Sequence, residues 1–110
     1  MIPQATLEDA ESAAPLARSA VLDVRTPEEF ASGHVPGALA IPLHVVPLRL
    51  SELDRSTSYV VVCESGARSA QATAYLLQHG YEARSMTGGM AAWRATGRAV
   101  QTGTATGAHA

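Results

Sequence analysis

The chain's single cysteine, Cys63, closes the apolar run Tyr59-Val60-Val61-Val62 and is followed directly by Glu64-Ser65-Gly66-Ala67-Arg68-Ser69. The chemistry this placement suggests is that of a nucleophilic sulfur held as an anion. A short loop entering a helix turns several backbone N–H groups toward one point, and the positive end of the helix adds to them. Such a cradle favours thiolate over thiol and lowers a cysteine pKa from about 8.5 toward about 3.5–7.5. Gly66 lets the backbone turn without a Cβ clash. Arg68, on the first helical turn, either bonds an anionic ligand or lies outward over the mouth. Ser69 either caps the helix or donates a hydrogen bond to the sulfur. The expectation is a sulfur kept negative and open to solvent. A lone cysteine ending a strand is, taken alone, more often a small buried hydrophobe. Such a residue has no need of a glycine turn, two hydroxyls and an arginine behind it.

The flanking segments must hold this loop in place. AVLDV (20–24) and YVVVC (59–63) are continuously apolar apart from Asp23, as strands are when both faces of a parallel sheet are covered. ALAIP (38–42) and EARSM (82–86) are weaker strand candidates, the second read from its place between Gly80 and Gly88-Gly89. Thr26-Pro27-Glu28-Glu29 has the form of a capping box with proline at the first helical position, and Gly33 stops that helix. Thr6 with Asp9 repeats the pattern for a helix over 7–13. Pro47 opens a short helix through Leu53, because mid-helix it would break one. Ser69 to His79 carries Ala70, Ala74 and Leu77 on one face and ends at Gly80, and Met90 to Thr96 is a last helix closed by Gly97. Strand and helix in alternation specify an open α/β domain with helices on both faces. Cys63 then stands at the carboxyl end of a strand, where such sheets bind ligands.

At 110 residues the chain is one domain, expected over 1–100, with a disordered tail at 101–110 (QTGTATGAHA). A domain of this size needs no disulfide or metal to hold together. A net charge of −2 gives no general attraction to nucleic acid or anionic lipid, and the eight arginines are scattered. No apolar run approaches the roughly 20 residues of a membrane span. The N-terminus lacks a positive start and an apolar core, so no secretory signal is expected. Together these readings describe a soluble, cytoplasmic protein.

Asp23 and Arg25 follow a buried strand, and structural roles are expected for both. Arg25 should pair with Glu28 or Glu29, and Asp23 should bond the loop around His34. His34 should orient the turn at Gly33–Gly37, since a thiolate already ionised by its loop needs no base. His44, His79 and His109 show no metal-ligand spacing. Trp93, Met86 and Met90 are expected in the core or at the pocket rim, with packing preferred for Trp93.

Cys63-Glu64-Ser65-Gly66-Ala67-Arg68-Ser69 resembles the active-site loop of rhodanese-like sulfurtransferase domains. Leu22-Asp23-Val24-Arg25-Thr26-Pro27-Glu28-Glu29-Phe30 resembles the family's first block, Gly33-His34-Val35-Pro36-Gly37-Ala38 its second, and Gly88-Gly89-Met90-Ala91-Ala92-Trp93 its closing one. The four segments come in the family's order over residues 5–98. The resemblance implies an open, mainly parallel five-stranded sheet flanked by helices. It also implies that Cys63 takes sulfane sulfur from a donor such as thiosulfate or a persulfide. The sulfur, held as a persulfide by the amides of 64–69, then passes to cyanide or a thiol, with no metal or organic cofactor. The alternative is a low-turnover sulfur-relay or regulatory module acting on a protein partner. Phosphatases of related fold place five residues between cysteine and arginine. Here four lie between Cys63 and Arg68, a narrower cradle that suits sulfur better than phosphate. Glu64 puts negative charge beside the pocket, so thiosulfate is expected to serve poorly as donor.

Overall fold

Both continuous apolar runs form interior strands of a parallel sheet, which explains why neither alternates in polarity. The computed structural model describes residues 1–13 and 16–104. Its strands are β1 (Gln4–Ala5), β2 (Ser19–Asp23), β3 (Leu39–Ala40), β4 (Ser58–Val62) and β5 (Glu82–Met86). Its helices are α1 (Leu7–Ala13), α2 (Pro27–Ser32), α3 (Ala67–Gln78) and α4 (Gly89–Ala95), with short 3-10 segments at Leu43–Val45 and Pro47–Glu52. The strands pair in the order β1-β5-β4-β2-β3, every pair parallel. The architecture is therefore the expected open α/β one.

Successive strand residues point to opposite faces, and each face has its own apolar core. Val21, Val60 and Val62 pack with Ala10 of α1, Phe30 of α2 and Met90 and Trp93 of α4. Leu22, Val61 and Cys63 pack with Ala72 and Leu76 of α3 and with Val46 and Leu53 from the 3-10 region. Trp93, Met86 and Met90 are buried as expected. The cysteine side chain thus belongs to the α3 face.

Local chemistry accounts for the helix starts. At α2 the Thr26 hydroxyl accepts from the Glu29 N–H at 3.2 Å, and the Glu29 carboxylate accepts from the Thr26 N–H at 3.0 Å. At α1 the Asp9 N–H donates to the Thr6 hydroxyl at 3.0 Å, and the Thr6 N–H to the Asp9 carboxylate at 2.9 Å.

Three expectations are corrected. Helix α3 begins at Ala67 rather than Ser69 and buries Ser69, Ala72, Thr73 and Leu76 instead of the Ala70, Ala74 and Leu77 face. Leu77 is 39% exposed. Two hydroxyl residues lie on the sheet-facing stripe, so hydropathy points to the wrong side of the helix. In the stretch 38–42 only Leu39–Ala40 is strand, and Pro42 has no N–H with which to continue a ladder. The tail is anchored where it starts. Gln101 exchanges two 2.9 Å backbone hydrogen bonds with His34, and the Gly103 N–H donates to Ala31 O at 2.9 Å. Residues 105–110, His109 among them, lie outside the described residues. Strand β1, two residues long, is too short to carry a periodic signal.

Candidate active site

Cys63 follows β4 directly, and the loop behind it bends back over the sulfur. The Gly66 N–H donates to Cys63 Sγ at 3.0 Å, and Ser69 Oγ lies 3.4 Å from the same atom. Gly66 stands at φ +116°, a backbone conformation that favours glycine, and is the first cap of α3. Its carbonyl accepts from the Ala70 N–H and the Ser69 hydroxyl, each at 3.1 Å. Burial alone pushes the Cys63 thiol up. Hydrogen bonds from the Ser69 hydroxyl and from the Ser69, Gly66 and Ser65 amides outweigh it and hold the thiol below its usual value. Among the loop amides, that of Gly66 makes the hydrogen bond to the sulfur.

Solvent access departs from expectation. Cys63 is 1% exposed, because the loop and α3 close over it. The anionic form is favoured by hydrogen bonding in a buried place and not by water.

Helix α4 fixes the loop from the other side. The Met90 N–H donates to Cys63 O at 2.9 Å and the Ala91 N–H to Glu64 O at 3.0 Å. In a trans peptide the C=O and the following N–H point in opposite directions. Drawing these two carbonyls toward α4 leaves the Glu64 and Ser65 N–H groups on the side of the loop away from it. The approach requires glycine at 89: a Cβ there would overlap Glu64 O and sit 2.7 Å from Cys63 O.

The charged residues pair differently from expectation. Arg25, almost fully buried, donates to both Asp23 oxygens through Nε at 3.1 and 3.2 Å and through Nη2 at 2.8 Å. Its Nη2 also reaches Gly33 O at 2.8 Å, and its Nη1 lies 3.5 Å from Glu64. Arg25 thus bonds Asp23 and Glu64 in place of Glu28 or Glu29, and the bond to the turn before His34 comes from Arg25 and not from Asp23. Glu29 instead receives Arg68 in two bonds of 2.7 and 2.9 Å. Arg94 of α4 pairs with Glu64. Three arginines therefore meet three carboxylates around the loop, and the charge of Glu64 is offset.

His34 is fully buried and stacks on Phe30 with ring centres 3.6 Å apart, its Nδ1 2.7 Å from Phe30 O. Ser65 is an exposed loop position, and Ala67 is the exposed first residue of α3. Four contributors escaped the sequence reading: Ser85, bonded to Ser69 at 2.7 Å, Gly89, Arg94 and the Glu29 partner of Arg68. Only Gly89 left a local signal, in the Gly-Gly doublet before an apolar helix. Among the described residues no helix is long and apolar enough to cross a membrane.

The rhodanese-like domain model matches residues 5–96. A sulfurtransferase of Allochromatium vinosum is 47% identical over 74 residues, which cover 66% of this chain and 69% of that protein. The thiosulfate sulfurtransferase GlpE of Pseudomonas putida is 42% identical over 79 residues, covering 69% and 70%. Among solved structures, a rhodanese-related protein from Thermoplasma volcanium superposes with a TM-score of 0.82 at 29% identity, over 90% of this chain and 97% of that one. The match spans sheet, helices and cysteine loop together, and the chain belongs to the rhodanese-like family.

Proposed function

We propose that this protein is a sulfurtransferase that carries sulfane sulfur on Cys63. In the first half-reaction the thiolate attacks the outer sulfur of a donor. A sulfur–sulfur bond forms to Cys63, the donor's own sulfur–sulfur bond breaks, and its electron pair leaves with sulfite or a thiolate. In the second, cyanide or a thiolate attacks the outer sulfur, and Cys63 leaves as thiolate again. No net oxidant or reductant is required. The observation that carries this reading is the Gly66 N–H at 3.0 Å from the sulfur, backed by the Ser65 and Ser69 amides. These groups favour negative charge before, during and after transfer. A second sulfur lengthens the side chain by about 2 Å, bringing the reactive atom from its buried position into the ring of amides. The named relatives support the same reading.

Intact mass after incubation with thiosulfate or a persulfide, followed by a thiocyanate assay with cyanide, tests it. Wild type should gain one sulfur atom and release it to cyanide, while Cys63→Ser gains none. Loading without turnover would point to handover to a protein thiol. Absence of loading from either donor would overturn the carrier role.

A further inference from the structure

We propose that Ser85 is a positioning residue for this site: its hydroxyl donates to Ser69 Oγ, leaving the Ser69 proton for the anionic sulfur of Cys63. The inference rests on Cys63 being the reactive thiolate. Parallel pairing sets Ser85 of β5 beside Val61 of β4, one alternation before Cys63 and on the same face of the sheet. The face carries Leu22, Val61 and Ala83 there, and α3 lays Ala72 and the hydroxyl residues Ser69 and Thr73 over it. Most buried hydroxyls are hydrogen-bonded, and Ser85 has such a partner where Thr73 on the facing helix has none among the described residues. Ser85 is 1% exposed, and its Oγ lies 2.7 Å from Ser69 Oγ.

Proton counting sets the direction. A serine hydroxyl has one proton and two lone pairs. With Cys63 as a thiol, Ser69 accepts from the sulfur at 3.4 Å and donates to Gly66 O at 3.1 Å. With Cys63 ionised, the sulfur only accepts, and Ser69 must swing its proton from Gly66 O to the sulfur. In both states a lone pair of Ser69 faces Ser85, so Ser85 can donate throughout. The donated bond polarises the Ser69 hydroxyl and strengthens its bond to an anion. The chain Ser85 to Ser69 to Cys63 is therefore a two-hydroxyl relay of hydrogen bonds that favours the ionised sulfur, each serine keeping its own proton while the thiol proton leaves to solvent.

A bland role for Ser85, as a small residue fitting beneath α3, makes a different prediction. Because Cys63 is the only cysteine, alkylation by iodoacetamide followed by intact mass reports its ionisation at each pH. The charged groups around the cysteine loop are Arg68 from α3, its partner Glu29 from α2, Asp23 at the end of β2, Arg25 after it, Glu64 in the loop and Arg94 from α4. None of them is altered in the variants below. Ser85→Ala should raise the pH midpoint of alkylation, slowing the reaction about threefold below the midpoint and leaving it unchanged well above. Ser85→Thr should restore the wild-type midpoint, while Ser85→Val, of the same shape without the hydroxyl, should behave like Ser85→Ala. In a Ser69→Ala background, Ser85→Ala should shift nothing further, since its effect passes through Ser69. If Ser85→Ala does not fold, the Thr and Val pair reads the same quantity. Equal midpoints for Thr and Val, or an undiminished Ser85→Ala shift without Ser69, would overturn the relay. Neither result touches sulfur loading of the wild type, so failure of the carrier reading and failure of this one are told apart.

Discussion

One oxygen of Glu29 accepts both from the Thr26 backbone N–H at 3.0 Å and from Arg68 Nη1 at 2.7 Å. The carboxylate that starts α2 therefore also holds the first turn of α3 beside the cysteine loop. The Arg68 guanidinium is the main reason the Glu29 carboxyl is pushed down to about 2 from an unfolded value of 4.5. A depressed folded value contributes stability above the unfolded one, and this is lost as pH falls from 4.5 through about 2. Glu29→Gln keeps the capping geometry, which tolerates Gln, but cannot ionise. The expected result is a stability deficit of up to about 1 kcal/mol at neutral pH, since the pair is partly solvent-screened. The gap between variant and wild type should hold to about pH 5 and close toward pH 2 in urea unfolding. A gap of constant size across that range would rule out the ion pair as its source.

At the scale of elements, α4 acts as a clamp on the cysteine loop, and its effectiveness depends on Gly89. Gly89 and Gly97 both occupy the left-handed region, at φ +62° and +74°. They differ in surroundings, because a Cβ at 97 meets nothing within 4 Å while one at 89 meets the Cys63 and Glu64 carbonyls. Gly97→Ala should cost about 1 kcal/mol from backbone strain alone. Gly89→Ala should cost more than about 2 kcal/mol, because strain and overlap add. It should also reduce Cys63 reactivity at neutral pH by displacing the loop carbonyls. Chemical denaturation of the two variants beside the wild type separates these terms. Equal costs would mean that the close approach of α4 is unimportant.

Across the whole molecule, the segment after α4 runs back to the end of α2 and the turn that follows it. Trp93 Nε1 donates to Ala99 O at 2.9 Å, and Gln101 and Gly103 then bond to His34 and Ala31. This return covers the turn that Arg25 grips through Gly33 O. A chain ended at Val100 gives up three backbone hydrogen bonds that one ended at Thr104 keeps. With each worth about 0.5–1.5 kcal/mol net, the shorter chain should be less stable by about 2 kcal/mol. Thermal unfolding of the two would show it. Identical midpoints would mean that the pairing with His34 contributes nothing.

What was legible in the sequence is what depends on near neighbours along the chain. The capping boxes at Thr6 and Thr26 span three residues, and the glycine turn after Cys63 spans the same distance. The continuous apolar strands could be read because burial on both faces removes alternation. These features, with the four family segments, were enough for the fold class and for the cysteine loop. The tertiary structure alone decided which carboxylate each arginine takes. Glu28, Glu29 and Glu64 carry the same charge, and nothing local distinguishes them as partners for Arg25. It also decided that Ser85, sixteen residues from Ser69, shares its hydroxyl, and that Gly89 must lack a side chain. Burial of the sulfur belongs to the same class. It depends on the loop and α3 packing over β4, and packing between distant segments has no signature in the residues on either side of Cys63.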